Sequence, residues 1–83
     1  MDKSLVGLSI PAISQQYDFF VLPSTVIGVL TGVLAKGVAE LSDGRYQVSG
    51  KEMLILREPD MLLNPAMTLA DYGVQDGAQL VML

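Results

Sequence analysis

The side chains that most often act as bases, nucleophiles or metal ligands are few in this chain, because it contains neither histidine nor cysteine. Carboxylates and hydroxyls remain. Glu58 and Asp60 flank Pro59 closely enough to be considered as an acid and base pair. Acids on either side of a proline are typical of a solvated turn, and we prefer this interpretation to a paired acid and base. The sequence therefore predicts no catalytic residue here.

Two further carboxylates, Asp71 and Asp76, could be calcium ligands. They lack the regular spacing of a calcium-binding loop, whereas aspartates commonly form turns by accepting hydrogen bonds from nearby amides. We interpret both as turn residues. The sequence thus predicts no metal site and no cofactor site.

Composition indicates one domain, spanning residues 1–83, that binds other proteins. The apolar fraction of 51% is high and the charged fraction of 17% is low, so some apolar surface is expected to remain uncovered after folding. The net charge is −4 and the five basic residues are scattered, which argues against nucleic acid as a partner. The absence of cysteine and of a basic, apolar leader favours a cytoplasmic protein.

Hydrophobic periodicity predicts the elements that would position any site. Val6, Leu8 and Ile10 alternate along a first strand, and aromatic and branched residues favour a second strand over 17–22. Helical spacing follows over 24–41, with Ser24 as the expected N-cap. After a loop over 42–50, three further strands are predicted over 52–57, 61–63 and 79–83. The predicted order ββαβββ is an α+β fold, with one central helix on a mixed sheet of four to five strands.

The segment from Phe19 to Ala35 carries no charge, which raises the alternative of a membrane-spanning helix. Pro23 disfavours helical geometry at Leu22, and Ser24 can start a new helix. We therefore predict a strand followed by a helix, with no direct insertion into a membrane.

Two short motifs add a resemblance to this pattern. The block Leu69-Ala-Asp-Tyr-Gly-Val-Gln-Asp-Gly77 before the final strand, and Leu22-Pro-Ser-Thr-Val26 before the helix, resemble ubiquitin and its β-grasp fold across nearly the whole chain. In the resembling block, the tyrosine at Tyr72 anchors a turn through its hydroxyl. Among ubiquitin-like proteins, the chain looks most like the small bacterial YukD/EsaB group.

That resemblance implies a function without catalysis. Proteins of the YukD/EsaB group are accessory or regulatory components of the bacterial type VII secretion system. The implied role is that of a cytoplasmic protein-binding module at the periphery of a membrane complex. Its partners would be membrane or ATPase components of the secretion machinery. We expect a monomer or a weak homodimer.

The final residues separate two interpretations of a ubiquitin-like chain. The sequence ends Leu80-Val-Met-Leu83 without the flexible diglycine that an adenylating enzyme requires, so we expect a binding module. The alternative is a sulfur-carrier or conjugation-type ubiquitin-like protein whose diglycine tail is absent from these 83 residues.

Two surfaces are candidates for protein binding. On a helical wheel, the predicted core stripe of the helix includes Val29, Leu30 and Val33. The first candidate surface lies opposite this stripe and consists of small residues: Gly28, Gly32, Ala35 and Ala39. On the sheet, alternation places Leu54, Leu56, Leu80 and Met82 towards the helix. The opposite, open face should then present Ile55, Arg57, Val81 and Leu83 to a partner.

Overall fold

A computed structural model of the chain describes residues 3–58 and 60–83. Five strands and one α-helix follow in the order β1 (Ser4–Ile10), β2 (Gln15–Val21), α1 (Ile27–Leu41), β3 (Leu54–Leu56), β4 (Met61–Leu62) and β5 (Ala78–Met82). Short 3-10 helices lie at Pro11–Ile13 and Ala70–Tyr72. The predicted α+β class and the order ββαβββ are confirmed.

The strands form one mixed sheet in the order β2-β1-β5-β3-β4. β1 is antiparallel to β2 and parallel to β5, and β3 is antiparallel to both β5 and β4. The first and last strands of the chain are therefore neighbours at the centre of the sheet. β2, at seven residues, is the longer of the two edge strands.

The core lies between one face of the sheet and α1. Alternate residues of the central strands are fully buried, as the period of two requires, and include Val6, Leu8, Leu80 and Met82. From the helix they meet Ile27, Leu30, Leu34 and Val38. Burying an aliphatic side chain of this size contributes roughly 1.5–3 kcal/mol.

The helix begins later than predicted, and Ser24 is not its cap. The N-cap is Val26, whose side chain forms no capping hydrogen bond. The free amides of the first turn instead donate to another part of the chain: Ile27 N to the Met67 carbonyl at 2.8 Å, and Gly28 N to the Pro65 carbonyl at 2.9 Å. A backbone segment thus replaces the side-chain cap that the sequence predicts.

The buried face of α1 also differs from the predicted stripe. Ala35 is completely buried, whereas Val29 and Val33 are 62% and 61% exposed. The helix is apolar on most of its circumference, so periodicity alone does not fix its rotation. The hydrogen bonds to residues 65 and 67 fix that rotation and turn Ala35 towards the sheet.

Three of the predicted turn residues have defined partners. Asp71 Oδ2 accepts from Thr68 N at 2.9 Å, and Tyr72 Oη accepts from Asn64 N at 2.9 Å, which confirms both predictions of a turn role. The sequence predicts that Asp76 accepts a hydrogen bond from an amide close in sequence. Its Oδ1 instead accepts from Leu5 N at 2.6 Å, 71 positions away in the sequence. This bond joins the turn before β5 to the start of β1.

The uncharged segment is divided as predicted. Phe19 to Val21 lie in β2, and Ile27 to Ala35 lie in α1. Within residues 3–58 and 60–83, no helix has the length and apolarity needed to cross a membrane.

Candidate functional site

An apolar patch occupies one half of the open sheet face. Ile55 pairs with Val81 on one side and with Leu62 on the other, and Met53 and Leu83 exchange hydrogen bonds of 2.8 and 2.9 Å. These five residues, Met53, Ile55, Leu62, Val81 and Leu83, are called the sheet-face patch below. Met53, Leu62 and Leu83 are 49%, 60% and 55% exposed, so large apolar side chains remain uncovered beside one another.

Val81 lies on the predicted face but is less accessible than strand alternation alone predicts. It is 9% exposed, because β5 is central and Val81 is flanked by Ser9 of β1 and Ile55 of β3. It does not belong to the core cluster beneath the helix. Val81 therefore forms the floor of the patch, while its neighbours form the accessible surface.

Arg57 marks the polar end of the same face. Its backbone amide donates to the Gln79 carbonyl at 2.9 Å, and its guanidinium Nε lies 3.3 Å from Asp60 Oδ1. Both side chains of this ion pair are more than half exposed, so the pair contributes little to stability and can rearrange on binding. Pro59, at the centre of the predicted turn between Glu58 and Asp60, lies outside the described residues.

Gln79 extends the polar half of the face. Its Oε1 accepts from Gln16 Nε2 at 3.1 Å, so the side chain crosses β1 to reach β2. Gly7 makes this crossing possible, since a Cβ at that position would meet Gln79 Oε1 at 2.5 Å. The open face is thus divided into an apolar half and an amide-rich half.

A single carboxylate organises the loop that leads into the patch. Glu52 Oε2 accepts from Tyr46 Oη and from Ser49 N, both at 2.7 Å, and Oε1 accepts from Gly50 N at 3.1 Å. Burial raises the pKa of Glu52, but the hydrogen bonds from Ser49 and Tyr46 outweigh it and lower the pKa to about 2. Burial, followed by the bond to Glu52 and its negative charge, raises the pKa of Tyr46 to about 12. These hydrogen bonds tie three positions of the loop before Met53 to one side chain.

The four small helix residues do not form one surface. Ala35 is in the core and Ala39 is partly covered. A Cβ at Gly28 would meet the Pro65 carbonyl oxygen at 3.3 Å, so this glycine already packs against the chain's own backbone. Gly32 faces open space at the side of a cleft of about 380 Å³ between α1 and the segments around Leu54 and Leu63, and the lining of this cleft also includes Met53 and Leu62 of the sheet-face patch. Of the four, Gly28 is exposed but has the Pro65 backbone beside it, whereas Gly32 is partly exposed and has open space for the close approach that the sequence predicts.

Sequence reasoning missed two members of the sheet-face patch, Met53 and Leu62. The alternation that places Ile55 on the open face also places Met53 there, so Met53 could have been found. Leu62 could not, because its pairing with Ile55 depends on how β4 folds back after β3.

Within the described ranges 3–58 and 60–83, no three carboxylates come close enough to hold a metal ion. The buried polar side-chain atoms of this part of the chain all have hydrogen-bond partners. The chemistry of the open face is that of apolar contact and exposed polar groups.

The structure is similar to several solved ubiquitin-like domains. The ubiquitin-like domain of the Mycobacterium tuberculosis type VII secretion system protein ECCD1 matches 100% of this chain and 99% of its own, at a TM-score of 0.76 and 16% identity. Caldiarchaeum subterraneum ubiquitin matches 98% of this chain and 91% of its own, at a TM-score of 0.69 and 16% identity. The ubiquitin-like domain of an Arabidopsis thaliana protein matches 100% of this chain and 78% of its own, at a TM-score of 0.70 and 17% identity.

No protein-family model and no curated protein matches the sequence. At the identities found, the structural likeness shows the fold and leaves function to the surface chemistry. The chain has the ubiquitin-like β-grasp fold, with one helix on a five-stranded mixed sheet.

Proposed function

We propose that this chain is a non-catalytic protein-binding module of the YukD/EsaB group, acting in the cytoplasm as an accessory or regulatory component of a bacterial type VII secretion system. The full-length likeness to the ECCD1 ubiquitin-like domain supports the secretion context. The proposed partners are membrane or ATPase components of that machinery.

The observation that carries the binding role is the sheet-face patch. Protein interfaces typically combine a few large apolar anchors with a polar rim, and the anchors supply most of the binding free energy. Here Leu62 and Leu83 are accessible anchors above the floor formed by Val81, and Arg57 supplies a cation at the edge. A partner surface with an apolar centre and acidic residues at its rim fits this arrangement.

A matched pair of leucine variants tests the proposal. Leu62 in the patch is 60% exposed, and Leu41 at the end of the helix is 59% exposed. We expect Leu62→Gln to weaken binding to the secretion subunits by roughly tenfold or more, as loss of an interface anchor does. Leu41→Gln should leave binding unchanged, and both variants should unfold at similar temperatures because neither side chain is buried.

The measurement is isothermal titration of each purified variant with the cytoplasmic parts of the ATPase and membrane subunits encoded by the same organism. If the Leu62→Gln and Leu41→Gln variants bind the secretion subunits with equal affinity, the sheet face is not the binding surface. Binding to an adenylating enzyme in place of these subunits would favour the carrier alternative.

A further inference from the structure

A second uncovered region lies on the far side of the molecule from β4, along the edge strand β2. Among the described residues, β2 pairs only with β1, so its outer side has no strand neighbour. In an antiparallel edge strand, alternate residues direct their N–H and C=O groups away from the sheet. Asp18 is the one charged residue of β2, which leaves this edge weakly protected against pairing.

An apolar groove of about 350 Å³ runs between this edge and the helix. Its walls include Phe19 and Val21 of β2 and Leu30, Val33, Leu34 and Gly37 of α1. The missing side chain at Gly37 lets the Phe19 ring pack closely on the helix, because a Cβ there would lie 3.1 Å from that ring. Val33 is 61% exposed and Phe20, on the other side of the strand, is 70% exposed.

The unpaired edge and the groove together specify an extended occupant. A strand added to β2 would satisfy the outward N–H and C=O groups. Its side chains would alternate, with one set entering the groove and the other set lying over the open face beside Asp18 and Phe20. A helix in the groove would leave the strand edge unpaired, so the geometry favours a strand.

Charge distinguishes a foreign strand from a second copy of this chain. Symmetric antiparallel pairing of two β2 strands over Gln15–Val21 would place Asp18 of one copy opposite Asp18 of the other, and like charges in such positions are destabilising. The charged residue lining the groove is Lys3, near the end of β2. The complementary strand carries a cation opposite Asp18 and an acid near Lys3.

We propose that the β2 edge and its groove bind an extended segment of another protein by strand addition. The segment has apolar, preferably β-branched, residues at alternate positions, a basic residue between them and an acidic residue at its end. This surface is separate from the sheet-face patch and does not depend on the secretion role proposed above.

A designed peptide with the required pattern of side chains tests the proposal directly. The capped peptide EVTVKVTVE reads the same in both directions, so it presents valines to the groove and lysine to Asp18 in either strand orientation. We expect saturable amide shift changes in 15N spectra, confined to residues 15–21 and the groove side of α1. The amides of the β2 edge should also exchange with solvent at least about fivefold more slowly.

Two controls make the result specific. The same peptide with methylated backbone nitrogens at positions 2 to 8 keeps every side chain and charge but lacks the amide donors, and it should not bind in either strand orientation. Val33 lines the groove and Val29 does not, although their exposures are 61% and 62%. Val33→Asp should weaken peptide binding at least tenfold, and Val29→Asp should not change it.

Several outcomes would overturn the proposal: equal effects of the two valine variants, binding of the N-methylated peptide, or absence of saturable binding. Dimerisation through β2 in the peptide-free protein, measured by sedimentation, would assign the edge to a second copy instead. Leu62→Gln should leave peptide binding unchanged, which separates this test from the test of the sheet face.

Discussion

Glu52 shows how one residue can replace a missing hydrophobic anchor. The loop over 42–53 contains few buried side chains, yet three of its polar groups donate to this single carboxylate. Hydrogen bonds to a charged acceptor are stronger than neutral ones. The loop is therefore ordered by charge, directly beside Met53 of the sheet-face patch.

We predict that Glu52→Gln lowers the free energy of unfolding by about 1–3 kcal/mol at pH 7, because the amide keeps one neutral acceptor oxygen and cannot accept from Tyr46, Ser49 and Gly50 together. Urea denaturation measures the change. Glu40→Gln, an exposed substitution of the same type on the helix, is the control and should change the value by less than about 0.5 kcal/mol.

The same residue predicts a pH dependence. The pKa of Glu52 is about 2 in the folded chain and near 4.5 in the unfolded chain, so the unfolded state binds the proton more readily. Its contribution to stability is complete above pH 4.5 and is lost as the pH falls towards 2. The difference in unfolding free energy between the wild type and Glu52→Gln should therefore shrink across this window. A difference that stays constant from about pH 7 to about pH 2 would contradict this role of the carboxylate.

At the scale of elements, the helix is positioned by its contacts with the segment over 64–68 as much as by its own apolar pattern. The bridge between Val26 and Thr68 and the hydrogen bond from Gly28 to Pro65 hold its first turn. This arrangement exposes Val29 and Val33 and turns Ala35 inwards. The interior glycines Gly28 and Gly32 differ in their surroundings.

We predict that Gly32→Ala and Gly28→Ala have different effects on stability. A Cβ at Gly32 meets nothing within 4 Å, so alanine should raise the free energy of unfolding by roughly 0.5–1 kcal/mol through its better helix propensity. A Cβ at Gly28 comes within 3.3 Å of the Pro65 carbonyl oxygen, which should cancel or reverse that gain. Thermal unfolding of the two variants provides the comparison, and equal stabilisation by both would show that the Pro65 contact does not restrict Gly28.

At the scale of the whole molecule, the two ends of the described chain are joined at the centre of the sheet. β1 and β5 are parallel neighbours, and their pairing is extended by two bonds: Leu5 N to Asp76 Oδ1 at 2.6 Å and Gly77 N to the Leu5 carbonyl at 2.8 Å. These contacts span most of the sequence, so they close the largest loop of the fold.

We predict that Asp76→Ala lowers the free energy of unfolding by about 1–3 kcal/mol, because Leu5 N loses a charged acceptor. Hydrogen exchange should show faster opening of amides in both β1 and β5, although the substitution lies in neither strand. Asp60→Ala, which removes only an exposed partner of Arg57, is the matched control and should have a small effect. Loss of protection confined to residues near 76 would mean that the bond is local in its effect.

The amino-acid sequence by itself determined the fold, the order of elements and several turn roles. Strand alternation places Val6, Leu8 and Ile10 correctly, and the turn role of Tyr72 through its hydroxyl is also predicted correctly. The order of elements and the strand faces depend on local periodicity, where spacing carries the physical constraint, whereas the role of Tyr72 follows from the resemblance to ubiquitin.

Only the tertiary structure decided which apolar residues are accessible. Periodicity predicts Val33 in the core and Ala35 on the outer face, and the structure has the reverse. A helix that is apolar almost all round can be buried on more than one face. Carbonyls of residues 65 and 67 replace Ser24 as the cap, and neighbours in two other strands cover Val81. The sheet-face patch and the β2 groove both arise from such long-range neighbours, which a one-dimensional pattern does not specify.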